Sequence, residues 1–265
     1  MATAKKTNPK PGTAVAVKKA TSVSVANIRE ALQRQALANA SRIEPGGGKN
    51  IRIGQDKSFS LPDGTKTRED LQLVVVDFVS RNEYYDRPYS KDDVSPPACF
   101  AIHENPKMLV PSDNSPDKQA DSCAECPMNV FGSSPTGGGK ACSNTRLLAV
   151  LPPDATEDTE LWILKVSPTA IREFDGFVAG VNRTFGLPPI GVVVTVGFND
   201  KMDYPSLVFK DPVPNENLES CFPRQDEARE LLMREPDVSK YGQEAPKKAA
   251  PARGKPAARG RVASR

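Results

Sequence analysis

The chain has one histidine, His103, and one tryptophan among 265 residues, and only 6% of its residues are aromatic. A single imidazole leaves little for histidine-based acid–base or nucleophilic schemes, which need a positioned base beside the reacting group. Long apolar runs are also missing: no stretch reaches the roughly 18 residues that a membrane-spanning helix requires. The lysines near the N-terminus are not followed by an apolar block, so a secretory leader is not expected. Hydrophobic residues make up 38% of the chain, against 25 prolines and 18 glycines, which predicts a modest core with disordered flanks. Five cysteines, an odd number crowded into one region, suit a metal site in a reducing compartment better than a disulfide framework. A cytoplasmic protein without a membrane partner or a small-molecule substrate is therefore expected.

What the chain does have is charge, unevenly placed. Residues 1–20 carry five lysines and no acid, and residues 242–265 carry seven basic residues against Glu244 alone. The net charge of +3 thus divides into +5 and +6 at the two ends and −8 between them. Basic arms attract phosphate backbones without sequence preference. An acidic middle requires any nucleic-acid groove there to be a local patch.

Composition and periodicity divide the chain into four parts. Residues 1–23 lack periodicity and read as a disordered basic arm. Over 24–45, Val25, Ile28, Leu32 and Ala36 recur at helical spacing and predict an amphipathic helix, with Gly46, Gly47 and Gly48 as a flexible joint. Residues 46–241 hold the folded domain, and 242–265 read as a disordered basic tail. Within the domain, strands are expected at 51–53, 59–61, 71–79 (LQLVVVDFV), 99–102, 145–151, 161–166, 191–198 and 207–209. Helices are expected at 168–185, with Ile171, Phe174, Val178 and Val181 on one face, and at 223–234. This inventory predicts a mainly β, α+β fold, an OB-fold-like small barrel with flanking helices.

Cys123 and Cys126 form a Cys-x-x-Cys knuckle, and Cys142 follows after fifteen residues. A short turn of this kind aims two thiolates at one metal, and zinc needs four ligands. Cys142 is the third. Cys99 is preferred as the fourth because four thiolates make a closed structural site; His103, four residues on, is the alternative. Cys221 stands apart and is expected to be packed and inert. Catalytic zinc is not expected: a deaminase needs His-x-Glu and Pro-Cys-x-x-Cys, whereas His103 is followed by Glu104 and Asn105, and Ser122 replaces the proline. Nor is the glycine run before Lys140 a phosphate loop, since Ser134 and Ala141 occupy required positions. No enzyme is expected.

Single-strand binders combine a positive groove with aromatic platforms on which bases stack. Tyr84, Tyr85, Arg87 and Tyr89, expected in a loop after the long strand, have that mixture, and Phe131, Lys140 and Arg146 flank the cysteines. Arg183 and Phe185 close the expected helix and read as packing and capping residues.

The blocks Pro97-Ala98-Cys99-Phe100-Ala101, Cys123-Ala124-Glu125-Cys126-Pro127-Met128-Asn129 and Gly139-Lys140-Ala141-Cys142 resemble a family of zinc-containing single-stranded DNA-binding proteins of tailed bacteriophages. The resemblance spans residues 81–209. It implies an OB-like fold with a zinc insertion, Cys99, Cys123, Cys126 and Cys142 as ligands of one structural zinc, and sequence-independent coating of single strands in phage replication and recombination. It further implies residence in the host cytoplasm and contact with replication or recombination proteins. The basic tail departs from the acidic tails of better-known phage binders. Two rival expectations are a zinc-stabilised factor that reads duplex DNA and a structural or protein-interaction protein with basic tails.

Overall fold

The computed structural model describes residues 49–88, 95–135 and 137–242. The expected arm at 1–23, the helix and linker at 24–45, Tyr89 and the tail beyond Gly242 lie outside the described residues. In chain order the strands are β1 (Asn50–Ile53), β2 (Phe59–Ser60), β3 (Lys66–Thr67), β4 (Leu71–Tyr84), β5 (Cys99–His103), β6 (Cys142–Leu151), β7 (Trp162–Val166), β8 (Val192–Phe198) and β9 (Leu207–Pro214). The helices are α1 (Ile171–Phe185), the single turn α2 (Leu218–Cys221) and α3 (Gln225–Leu232).

The described strands form one sheet in the order β3-β2-β1-β7-β6-β4-β8-β9, with β5 on β4. All neighbours are antiparallel except the parallel pair β1–β7. β4 organises the sheet. One of its edges runs along β6; the other pairs with β8 over Leu71–Val74 and with β5 over Ser80–Tyr84. A register shift against β6 between Val75 and Asp77 adds local bend, as bulges do, and the sheet curls into a half-barrel. The described residues are thus built mainly on sheet, with the α+β character that the strand and helix pattern predicts.

Alternation along β4 and β6 separates two cores. Leu73, Val75, Leu148 and Val150 face α1, which supplies Phe174, Phe177 and Val181. Val74, Val76, Leu147, Ala149 and Leu151 face the other way, under Ala228, Leu231 and Leu232 of α3. The unbroken apolar run in β4 follows from this, because both faces of its first half are covered. Cys221 is packed in the second core, as expected. A 3₁₀ turn over Pro168–Ala170 leads into α1, where a proline at the start costs no hydrogen bond. The helix ends on Gly186, whose left-handed φ of 65° is open to glycine at no steric cost.

The expected loop after residue 79 is a correction: β4 continues to Tyr84. Ser80, Arg81, Asn82 and Glu83 are paired on both sides, and Asn82 and Glu83 are buried. Polar side chains read as a loop here because their partners lie far along the chain.

Phe174 is fully buried against Phe78, Phe177 and Phe209. Phe174→Ala should lower unfolding free energy by about 3–5 kcal/mol, read as a shifted denaturant midpoint with an unchanged slope.

Candidate metal centre and the groove beside it

Registers on both edges of β4 place three rows of side chains on one face of the sheet. Cys99, Tyr84 and Cys142 form the first row, Ala101, Asn82 and Asn144 the second, and His103, Ser80 and Arg146 the third. Cross-strand neighbours in such rows share a face and lie close. Beyond the third row, Phe78 and Leu148 pass beneath α1.

The connection from β5 to β6, residues 104–141, contains no strand among its described residues and folds over the first rows. Backbone bonds run from Ser112 N–H to the Phe100 carbonyl (2.9 Å), from Asp117 N–H to Ala98 (2.8 Å) and from Cys123 N–H to Leu109 (3.1 Å). Cys123 and Cys126 thereby come down on Cys99 and Cys142. All four cysteines are buried, and together they line a small cavity of about 10 Å³, whose wall includes Tyr84. That is room for about one water-sized body. His103 does not line it; its Nδ1 accepts the Asn105 N–H at 2.9 Å.

Among the described residues, no three His, Cys, Asp or Glu side chains already stand in metal-holding spacing. Each Sγ, however, swings about a single bond, and the backbone that brings four cysteines round one cavity is the more telling feature. Burial pushes the Cys142 thiol up to about 12, with Cys123, Cys126 and Cys99 adding to the effect; burial likewise raises Cys123. For Cys142 and Cys123 this favours the neutral thiol, a preference that a coordinated metal inverts. The donor set fits a closed four-sulfur zinc site. Around it, the Asn82 amide bonds the Cys123 thiol and accepts from Asn144 Nδ2 at 2.6 Å, an outer layer of the kind that orients ligands.

A groove of about 880 Å³ opens beside this cavity, sharing Asn82, Cys123, Asn129 and Cys142 with it. Phe131, Lys140 and Arg146 all line it. Phe131, 77% exposed, sits on a tight turn in which Gly132 and Ser134 N–H groups both bond the Gly139 carbonyl. Lys140 Nζ reaches Asn129 Oδ1 at 3.0 Å, and Asn129 Nδ2 bonds the Cys123 carbonyl at 2.6 Å. The aromatic tip is therefore tied to the cysteine knuckle. Arg146 is buried and paired with Asp175 of α1 at 3.1 Å. Arg172 of α1 also lines the groove; the sequence shows its helical position but not its neighbours.

The other expected contacts are dispersed. Tyr84 belongs to the cysteine cavity, and Arg87 is exposed outside the groove. Tyr85, just past the end of β4, bonds Glu83 through its hydroxyl; burial, then the Glu83 charge, raises it to about 12. Glu83 is 4% exposed and takes Arg81 at 2.8 Å and Lys165 at 2.7 Å.

Comparisons with models of known protein families, with curated proteins and with solved structures gave no match.

Burial works against ionisation of Glu83, but Arg81 and then Lys165 outweigh it and hold the carboxyl below its ordinary value. A depressed folded-state pKa contributes stability above the unfolded value, about 4.3 for glutamate, that is lost as pH falls through the folded value. Glu83→Gln should therefore cost on the order of 3 kcal/mol at pH 7 and flatten the loss of stability below about pH 4 in an acid titration.

Proposed function

We propose that the protein binds single-stranded DNA without sequence preference, using the groove beside the cysteines, and performs no catalytic step. The observation that carries the reading is Phe131, an exposed aromatic fixed on a hydrogen-bonded turn at a groove that also holds Lys140, Arg146 and Arg172. An aromatic surface for bases beside cations for phosphates is what sequence-tolerant single-strand binding requires. The half-barrel serves in this reading as an OB-like platform. Cys99, Cys123, Cys126 and Cys142 hold one zinc ion, whose contribution when bound is a structural cross-link between the 104–141 connection and the sheet. The basic segments at 1–20 and 242–265 add charge that the acidic middle lacks. The resemblance in the cysteine blocks supports a setting in phage replication or recombination, in the host cytoplasm and beside the proteins of those processes.

A duplex-reading factor is less well supported, because α1 spends its apolar face on the core rather than standing clear as a recognition helix. The protein-interaction alternative draws on exposed Met108, Val110 and Val130 in the same connection.

Titrating the full-length protein with fluorescent oligo-dT at two salt concentrations tests the reading. Affinity should fall steeply with salt, and Phe131→Ala should weaken binding by about 1–3 kcal/mol, roughly 5- to 150-fold. Salt-sensitive binding indifferent to both Phe131→Ala and Lys140→Ala would place it on the terminal arms and overturn the groove. The purified protein should carry one zinc per chain, and Cys126→Ser should reduce that content and weaken oligonucleotide binding together.

A further inference from the structure

A second cavity, of about 710 Å³, adjoins the groove through shared Pro106 and Arg146 and runs along α1 to Arg183. The two cavities have one continuous wall, the exposed side of α1. Arg172 borders the first and Arg183 the second. Eleven residues at 100° each bring the two arginines back to within about 20° of one line, about 16 Å apart along the helix axis. Between them the helix lines the second cavity with Asp175, which is taken up by Arg146, and with Val178, Ala179 and Asn182, none of them charged.

Arg172 and Arg183 are exposed, and neither has a hydrogen bond or ion pair among the described residues. Both are free to meet an outside anion. The other arginine in the cleft is not: Arg146 is neutralised by Asp175, and Glu104 on the far rim is held by Arg229.

From this arrangement, and resting on the single-strand reading above, we infer that the strand continues past Phe131 along α1, with its phosphates held by Arg172 and then Arg183. The stacking site and the phosphate track are separate parts of one path. At the 3.4 Å per phosphate of a stacked strand, 16 Å is about five phosphates. Arg183 thus acts as a binding residue for longer strands rather than as a helix cap.

The test uses the full-length protein with Arg172→Ala, Arg183→Ala, the charge-retaining Arg183→Lys and Phe131→Ala, titrated against dT5 and dT20 over a salt series. Unchanged thermal midpoints for the arginine variants certify their folding, since neither side chain packs in the core. The expected result is that Arg183→Ala binds dT20 roughly fivefold or more weakly, with the salt slope reduced by about 0.7, and leaves dT5 unaffected. Arg183→Lys should keep the wild-type slope, and Arg172→Ala should weaken both oligonucleotides. If Phe131→Ala weakens binding while both arginine variants match wild type at every length, the track is wrong and the stacking site stands. If wild type fails to bind, or binds indifferently to all these substitutions, the single-strand reading itself falls and the track with it.

Discussion

The register of β4 between β5 and β6 is the constraint on which the rest of the site depends. It sets Cys99, Tyr84 and Cys142 in one row at the end of the sheet, with Asn82 and Asn144 in the next. A slip of one residue would turn every one of these side chains to the opposite face. That register is secured far from the cysteines, by apolar residues of β4 and β6 buried on both faces under α1 and α3. The 104–141 connection needs only to be fastened at this edge. Among the described residues it buries little apolar surface: only Leu109 and Cys123 of the connection join Ala101 of β5 in a small cluster. In the proposed reading, a four-sulfur metal site there would do what a hydrophobic core does in a longer segment.

Charge is distributed with the same economy. The middle of the chain is acidic, and most cations in the polar half of the sheet are already engaged: Arg81 and Lys165 with Glu83 on one face, Arg146 with Asp175 on the other. The exposed cations that border the clefts, Lys140, Arg172 and Arg183, have no carboxylate partner among the described residues. In the single-strand reading, a local positive path on an acidic body would limit where a phosphate backbone can lie, whereas the terminal arms would capture one indiscriminately.

Much of the fold was legible in the sequence. The β-branched run at 71–79, the helix opened by Pro168 and the charged helix after Pro223 all have local signals, and each is present. The two-residue strand β3 was not anticipated, being too short for any periodicity. β4 beyond Val79 was misread because polar residues inside a strand resemble a loop until their cross-strand partners are known. The site divided along the same line. Cysteine spacing marks Cys123, Cys126 and Cys142 and leaves Cys99 or His103 for the fourth place; the four cysteines line one cavity and His103 does not, while Phe131, Lys140 and Arg146 stand out in the sequence by lying near the cysteines. The tyrosines group by adjacency in sequence, yet Tyr84 lines the cysteine cavity while Tyr85, just past the end of β4, bonds Glu83. Arg172 carries no local mark at all; its relevance comes from a wall that forms only when α1 packs across the sheet.

The most direct test of the account is X-ray absorption spectroscopy at the zinc edge of the full-length protein, purified without chelators. The arrangement of the four cysteines predicts a single shell of four sulfur neighbours at about 2.3 Å. A shell containing nitrogen or oxygen neighbours, or protein that takes up no zinc, would contradict the account, because the 104–141 connection would then be fastened to the sheet by something other than those four thiolates.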